Sequence, residues 1–281
     1  MSNSIKEFRK FEYNAWQKSV AQYDNSFASL TNQMIKPLLN AVNAKTGVKI
    51  LDIATGPGYV AADAAKRECQ VIGLDFSDAM LKKAKQLNPD LEFIRGEAEF
   101  LPFENEEFDT VVMNFGILHL AEPQKAINEA FRVLRHSGKF AFTAWDVMDK
   151  CIGMKLVYEA VKTYGNLEVS LPEGPPFFYF SEEQNCIHGL KNAGFSTPSV
   201  SKFPLSWELA NADELFDAFY KGTPRTGALL RSQTQKNIAD IRAAFSQISQ
   251  PYFDKNRLIL PMSALVAVSY THLRAHETQQ H

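Results

Sequence analysis

Two acids, a pair of glycines and one histidine are spaced along the first half of the chain as groups that could meet a small ligand. The glycines lie in KILDIATGPGYVA, Lys49 to Ala61, where an apolar run ends at Asp52 and passes into a small-residue turn carrying Gly56 and Gly58. Glycine permits backbone turns and close approach that a Cβ would block. GPGYVA satisfies the dinucleotide fingerprint G-x-G-x-x-G/A as written. Asp75 ends the next apolar run, QVIGLD, where a carboxylate can accept both hydroxyls of a ribose. GEAEFLPF, Gly96 to Phe103, can offer a polar side chain and backbone groups to an adenine edge, and Asn114 is a polar exit from FDTVVMNF. His119 follows, a residue type whose ordinary pKa suits proton transfer near neutrality.

These groups need a scaffold that brings strand ends together. From Val48 to Trp145 apolar, β-branched runs alternate with helical segments. VKILDI, QVIGLD, LEFIRG, FDTVVMNF and KFAFTAW read as strands. Helices are expected from about Pro57 to Arg67, after Ser77 as N-cap, and over PQKAINEAFRVLRHSG with Gly138 as its stop. This succession implies a parallel sheet with helices on both faces. Phe27, Leu30, Met34, Leu38 and Val42 recur at helical spacing and predict one amphipathic helix before the sheet. Ser181 and Gln184 form a capping box. Two β-rich runs, Ser199 to Leu209 and Arg257 to Ser269, flank a helical stretch at about 211–252, too long for a hairpin loop and expected to cap the functional edge. Beyond Ser269 the pattern breaks. YTHLRAHETQQH resembles a translated sequencing adapter, so 270–281 is expected to be a non-native tail whose His272, His276 and His281 ligate nothing.

A net charge of −2 over 281 residues gives no basic field for nucleic acid, and no apolar run is long enough for a membrane span. The charged N-terminus has no signal-peptide core, and the three cysteines show neither metal spacing nor a disulfide framework. A cytoplasmic protein without a metal is expected; its oligomeric state is not legible. Twenty-one phenylalanines leave room for an apolar pocket beside the core.

A dinucleotide would bring a pyrophosphate to the glycine loop, and Asp52 at the mouth of the first strand would repel it. S-adenosylmethionine has no phosphate and carries an α-ammonium and a sulfonium, so an acid there favours it, directly or through a water. Asp75 serves either ligand. The run from Val48 to Trp145 resembles the class I S-adenosylmethionine-dependent methyltransferases, most of all the broad group around the ubiquinone and menaquinone biosynthesis methyltransferases. LDIATGPG is similar to that group's first motif, with Ala54 where many members have glycine. GLDFSDAML is similar to the second, and GEAEFLPF to the third, with Glu97 where aspartate is commoner. WQKSVAQYD resembles the segment whose aromatic residues close over the methionine end, which implicates Trp16 and Tyr23.

The resemblance implies an α/β, Rossmann-like class I methyltransferase fold: a seven-stranded, mostly parallel sheet with helices on both faces and a helical cap. It divides the chain into an N-terminal helical segment (1–45) over the cofactor site and a methyltransferase domain (46–269). It implies S-adenosylmethionine as cofactor, S-adenosylhomocysteine as product, and contacts from Asp52, Ala54, Thr55, Gly56, Gly58, Asp75, Phe76, Met80, Glu97, Ala98, Glu99 and Asn114. The partner is then a small aromatic or apolar methyl acceptor, methylated on oxygen or carbon. His119 is the candidate base. Phe177, Phe178 and Tyr179 in PEGPPFFYF, Phe216 and Tyr220 in the cap, and Arg225 as a binder of an acidic group are the candidate acceptor contacts. A different reaction on the same cofactor, or cofactor binding without catalysis, are the competing readings.

Overall fold

The apolar runs of the first half become the middle of one sheet. The computed structural model describes residues 3–271. In chain order the elements are α1 (Asn3–Asn25), α2 (Phe27–Thr31), α3 (Ile35–Ala41), β1 (Lys49–Ile53), α4 (Tyr59–Lys66), β2 (Gln70–Asp75), α5 (Asp78–Leu87), β3 (Glu92–Arg95), β4 (Phe108–Met113), α6 (Pro123–Val133) and β5 (Leu134–Trp145). They continue with α7 (Ile152–Tyr164), α8 (Glu183–Asn192), β6 (Ser196–Leu209), α9 (Ala212–Gly222), α10 (Arg225–Arg231), α11 (Gln235–Ile248), β7 (Phe253–Asp254) and β8 (Arg257–Tyr270).

Seven strands run β3-β2-β1-β4-β5-β8-β6, and the two-residue β7 pairs β8 off this path. β1 pairs β2 and β4 in parallel, as β2 does β3 and β4 does β5, while β8 is antiparallel to both β5 and β6. The strand order therefore reverses at β1, and a crevice opens beyond the carboxyl ends of β1 and β4, where such sheets place ligands. Adjacent β4 residues face opposite cores, as alternation requires. Val112 packs with Leu38, Trp145 and Val157, and Val111 with Ile127, Val133 and Leu190. The sheet is buried on both faces, which accounts for the near-continuous apolar runs of β1 and β4. Among the described residues no helix is long and apolar enough to cross a membrane.

Four local expectations change. The predicted helix from Phe27 keeps its buried face, but a 3-10 turn at Asn32–Met34 breaks it into α2 and α3. α6 ends at Val133, and Gly138 lies inside β5, in an irregular stretch where Phe108 faces Leu134 but Thr110 faces Lys139. Ser181 caps nothing: its Oγ donates to the Phe178 carbonyl, and Glu182 precedes α8 without a side-chain cap. β8 reaches Tyr270, which faces Lys139, and the buried Thr271 donates from its N–H to the Gly138 carbonyl. The tail expectation thus falls on 272–281, with His272, His276 and His281, which lie outside the described residues. The Ser77 cap is present, accepting from the Met80 N–H at 3.3 Å.

Candidate active site

The loop after β1 turns through the left-handed region three times, at Ala54 (φ 55), Gly56 (φ 54) and Gly58 (φ 83). That conformation is costly for a residue with a Cβ, and Ala54 is the one of the three that carries a Cβ. A Cβ on Gly58 would stand 2.7 Å from the Phe93 ring. The Thr55 N–H donates to the Leu74 carbonyl, pinning the loop to β2. Asp75, at the end of β2, fixes it further: Oδ2 accepts from the Gly56 N–H at 2.9 Å and Oδ1 from the Ser77 N–H at 2.8 Å. Asp75 lines the cleft, and a carboxylate oxygen can accept more than one hydrogen bond. Burial pushes its carboxyl up to about 6.

Asp52 takes a different place from the one expected. It does not line the cleft but lies beneath the loop, buried, with Oδ2 accepting from Thr55 Oγ at 2.5 Å and Oδ1 without a hydrogen-bond partner. Burial pushes this carboxyl up to about 7, against the Thr55 hydrogen bond.

Phe76, Met80, Ala98 and Glu97 form the outer wall. Glu99 is buried, accepting from Arg9 at 3.2 Å and from the Glu122 N–H at 3.3 Å, so it is no solvated loop charge. Arg9 belongs to α1, which closes the cleft with Glu12, Trp16 and Tyr23. The helix is held down by Asp24, which pairs with Lys83 at 2.7 Å and accepts from Tyr59. Gln17 adds to this by accepting from the Ala79 N–H at 2.8 Å.

The inner end is aromatic. Phe115 stacks on Trp145 with centroids 4.1 Å apart, and Phe27, Met154, Phe177 and Phe219 complete the wall of a cavity of about 1400 Å³, its open mouth included. Phe115 also has a left-handed backbone (φ 54), and the next residue must be small because a Cβ on Gly116 would stand 2.7 Å from that of Ala54. Asn114 is oriented by Thr143 Oγ1, which donates to its Oδ1 at 2.7 Å.

His119 stands edge-on to Trp16, centroids 4.9 Å apart, with Nδ1 3.0 Å from Glu12 Oε2. Glu12 Oε1 accepts from Arg225 Nε at 3.1 Å. Arg225 also donates to the carbonyls of Pro175 (2.6 Å) and Leu118 (2.8 Å), so its fork is committed to the protein rather than offered to an acidic acceptor. Of the expected acceptor contacts, Phe177 lines the cavity. Phe178 and Tyr220 do not, Tyr179 is 40% exposed, and Phe216 points into the core against Phe245. Phe219, one α-helical turn from Phe216, takes the lining position instead. Glu12 was missed: its spacing of four from Trp16 puts both on one face of α1, but an acid in a charged segment gave no sign of burial. Among the described residues no group of three or more His, Cys, Asp or Glu is placed to hold a metal ion.

The family description "methyltransferase domain" matches residues 51–142, and the description "protein-L-isoaspartate(D-aspartate) O-methyltransferase" matches residues 4–92. A demethylmenaquinone methyltransferase of Renibacterium salmoninarum is 39% identical over 109 residues, covering 39% of this chain and 46% of that protein. The chain thus spans about half the length of that curated relative. A ubiquinone/menaquinone biosynthesis C-methyltransferase of Bartonella bacilliformis is 31% identical over 192 residues, 61% of this chain and 72% of that protein. A putative methyltransferase of Bacillus halodurans shares the fold, with TM-score 0.56 and 18% identity over 86% of this chain and all of that one. The chain belongs to the class I S-adenosylmethionine-dependent methyltransferases, in the group of the ubiquinone and menaquinone biosynthesis enzymes.

Proposed function

We propose that this protein methylates a carbon or oxygen of a small, apolar, hydroxylated aromatic molecule. One observation carries the reading: the cleft walled by Asp75 runs into a cavity of stacked aromatic rings, and His119 lines that aromatic side. The cleft suits the cofactor. Asp75 lines the cleft at the end of β2, where ribose hydroxyls need an acceptor, and Asp52 leaves one buried oxygen without a hydrogen-bond partner below the Thr55 loop. When bound, S-adenosylmethionine supplies an electrophilic methyl: an electron pair of the acceptor, a lone pair on oxygen or a ring π pair at carbon, bonds to the methyl carbon, the S–CH3 electron pair passes to sulfur, and a methylated ring carbon then loses its own proton.

The chain's own work is placement and proton removal. Trp16, Phe115 and Phe177 exclude water and hold a flat acceptor by its faces, and fixing reactants in this way can supply most of the acceleration in a displacement. His119 takes the acceptor's hydroxyl proton. Both arginines in the wall are bound to carboxylates, so a neutral acceptor fits better than an acidic one. The reduced form of demethylmenaquinone, the quinone in the relatives' name, satisfies these demands.

The test is mass balance. Purified protein with S-adenosylmethionine and a reduced naphthoquinone should give S-adenosylhomocysteine and a methylated product in equal amounts. S-adenosylmethionine consumed without a methylated product would assign a different reaction, and none consumed across a panel of phenols and quinols would defeat the proposal.

A further inference from the structure

Glu12 has no exposed surface, and its two oxygens face His119 Nδ1 and Arg225 Nε. The three residues come from α1, the turn after β4 and the first residue of α10. Packing alone does not call for this arrangement. A methionine or leucine would fill the space without stripping water from a charge, and buried ion pairs are commonly no more stabilising than such replacements. The carboxylate is nevertheless held from both sides, with Arg225 itself fixed by the carbonyls of Pro175 and Leu118 and sandwiched near Phe8 at 4.5 Å and Phe177 at 5.8 Å.

We infer that Glu12 is a positioning residue for His119: it keeps the proton on Nδ1, so that Nε2 is the atom that accepts a proton from the methyl acceptor, and Arg225 holds Glu12 in place. The rate consequence rests on the methyl-transfer reading; the tautomer does not. The acceptor's O–H proton moves to Nε2, its bonding electrons stay on the acceptor oxygen, and the imidazolium later returns the proton to solvent. A carboxylate on Nδ1 orients the ring and stabilises that imidazolium, as in other His–carboxylate pairs. The groups facing the ring are Glu12 from α1 with Arg225 of α10 behind it, and the uncharged rings of Trp16 and Phe177.

The experiment compares wild type with Glu12→Gln. Long-range proton–nitrogen NMR, with His119 assigned through His119→Asn, should show Nδ1 protonated in the neutral wild-type ring and that preference lost in Glu12→Gln. Affinity for S-adenosylhomocysteine should be retained and unfolding should stay cooperative, which establishes that the variant is folded. On an acceptor that must lose a proton, kcat should fall by roughly 10²–10⁴-fold, with KM for S-adenosylmethionine nearly unchanged. An acceptor already ionised at the assay pH should lose less than about tenfold, since positioning remains. Glu12→Asp should restore part of the rate. An unchanged tautomer, or equal losses on both acceptors, would overturn the inference. Wild-type protein that methylates nothing would instead remove the reaction and leave the tautomer result to stand or fall alone.

Discussion

Asp75 joins the two motifs read from the sequence into one device. The carboxylate that terminates β2 accepts from the loop after β1 and from the first turn leading into α5, and lines the cleft. Its removal therefore costs both a ligand acceptor and loop order. Asp75→Ala should weaken S-adenosylhomocysteine binding by about 1.5–3 kcal/mol, the scale of hydrogen bonds to a charged group. Calorimetry is the check, and unchanged affinity would separate Asp75 from the ribose. Ala54 and Phe115 show the converse at the same scale. Both hold left-handed backbones that other residues rarely tolerate, and both do so at the cleft, where such strain tends to gather.

Among the elements, α1 lines the cleft while packing chiefly on helices, α5, α9 and α2. It bears Arg9, Glu12, Trp16 and Tyr23, and is fastened to α5 by Gln17 and Asp24 and to the cap by Glu12. Hydrogen exchange should slow in 3–25 and in 212–248 when S-adenosylhomocysteine binds; exchange that stays the same in both would deny them a closing role. At the other end, a chain stopped after Ser269 should melt lower than one stopped after Thr271, having lost about 1–3 kcal/mol of unfolding free energy with the sheet and carbonyl bonds of Tyr270 and Thr271. Equal melting would show that β8 gains nothing from its last residues. Legibility in the sequence divides along the same line. Asp75, Gly56 and Asn114 could be read because a strand end places its own residue, and strand ends show in apolar runs. Glu12 could not, because its meaning comes from His119, 107 residues away, and Arg225, 213 away. The helix predicted from Phe27 failed in its continuity but not in its face, since apolar spacing reports burial and is indifferent to a 3-10 turn. Phe216 was preferred over Phe219 because both are apolar and only the seating of α9 on Trp207 and Phe27 decides which meets the cavity.

For the whole molecule, the buried acids set a dependence on pH. Asp52 and Asp75 are raised to about 7 and about 6 from 3.8, so the folded protein keeps protons that the unfolded chain has released. Their contribution to stability is full below the unfolded value and is lost as pH rises through the folded values. Asp52→Asn keeps the shape without the charge. It should melt higher than wild type at pH 8, with the gap closing towards pH 4, the unfolded carboxylate range. A gap independent of pH would mean that Asp52 is ionised throughout.

The sheet has a further consequence for how such a protein can diversify. Leu209 and Leu258, which bound the 48 residues of the cap and its return, are direct partners across β6 and β8. To the sheet, the cap is a long hairpin loop, and lengthening a loop costs free energy only logarithmically. Recombination can therefore exchange this segment as a cassette while the loop around Gly56 and the end of β2 at Asp75 are inherited intact. One condition travels with the graft: the incoming segment must bring a cation to Glu12, as Arg225 does, or leave a buried carboxylate uncompensated.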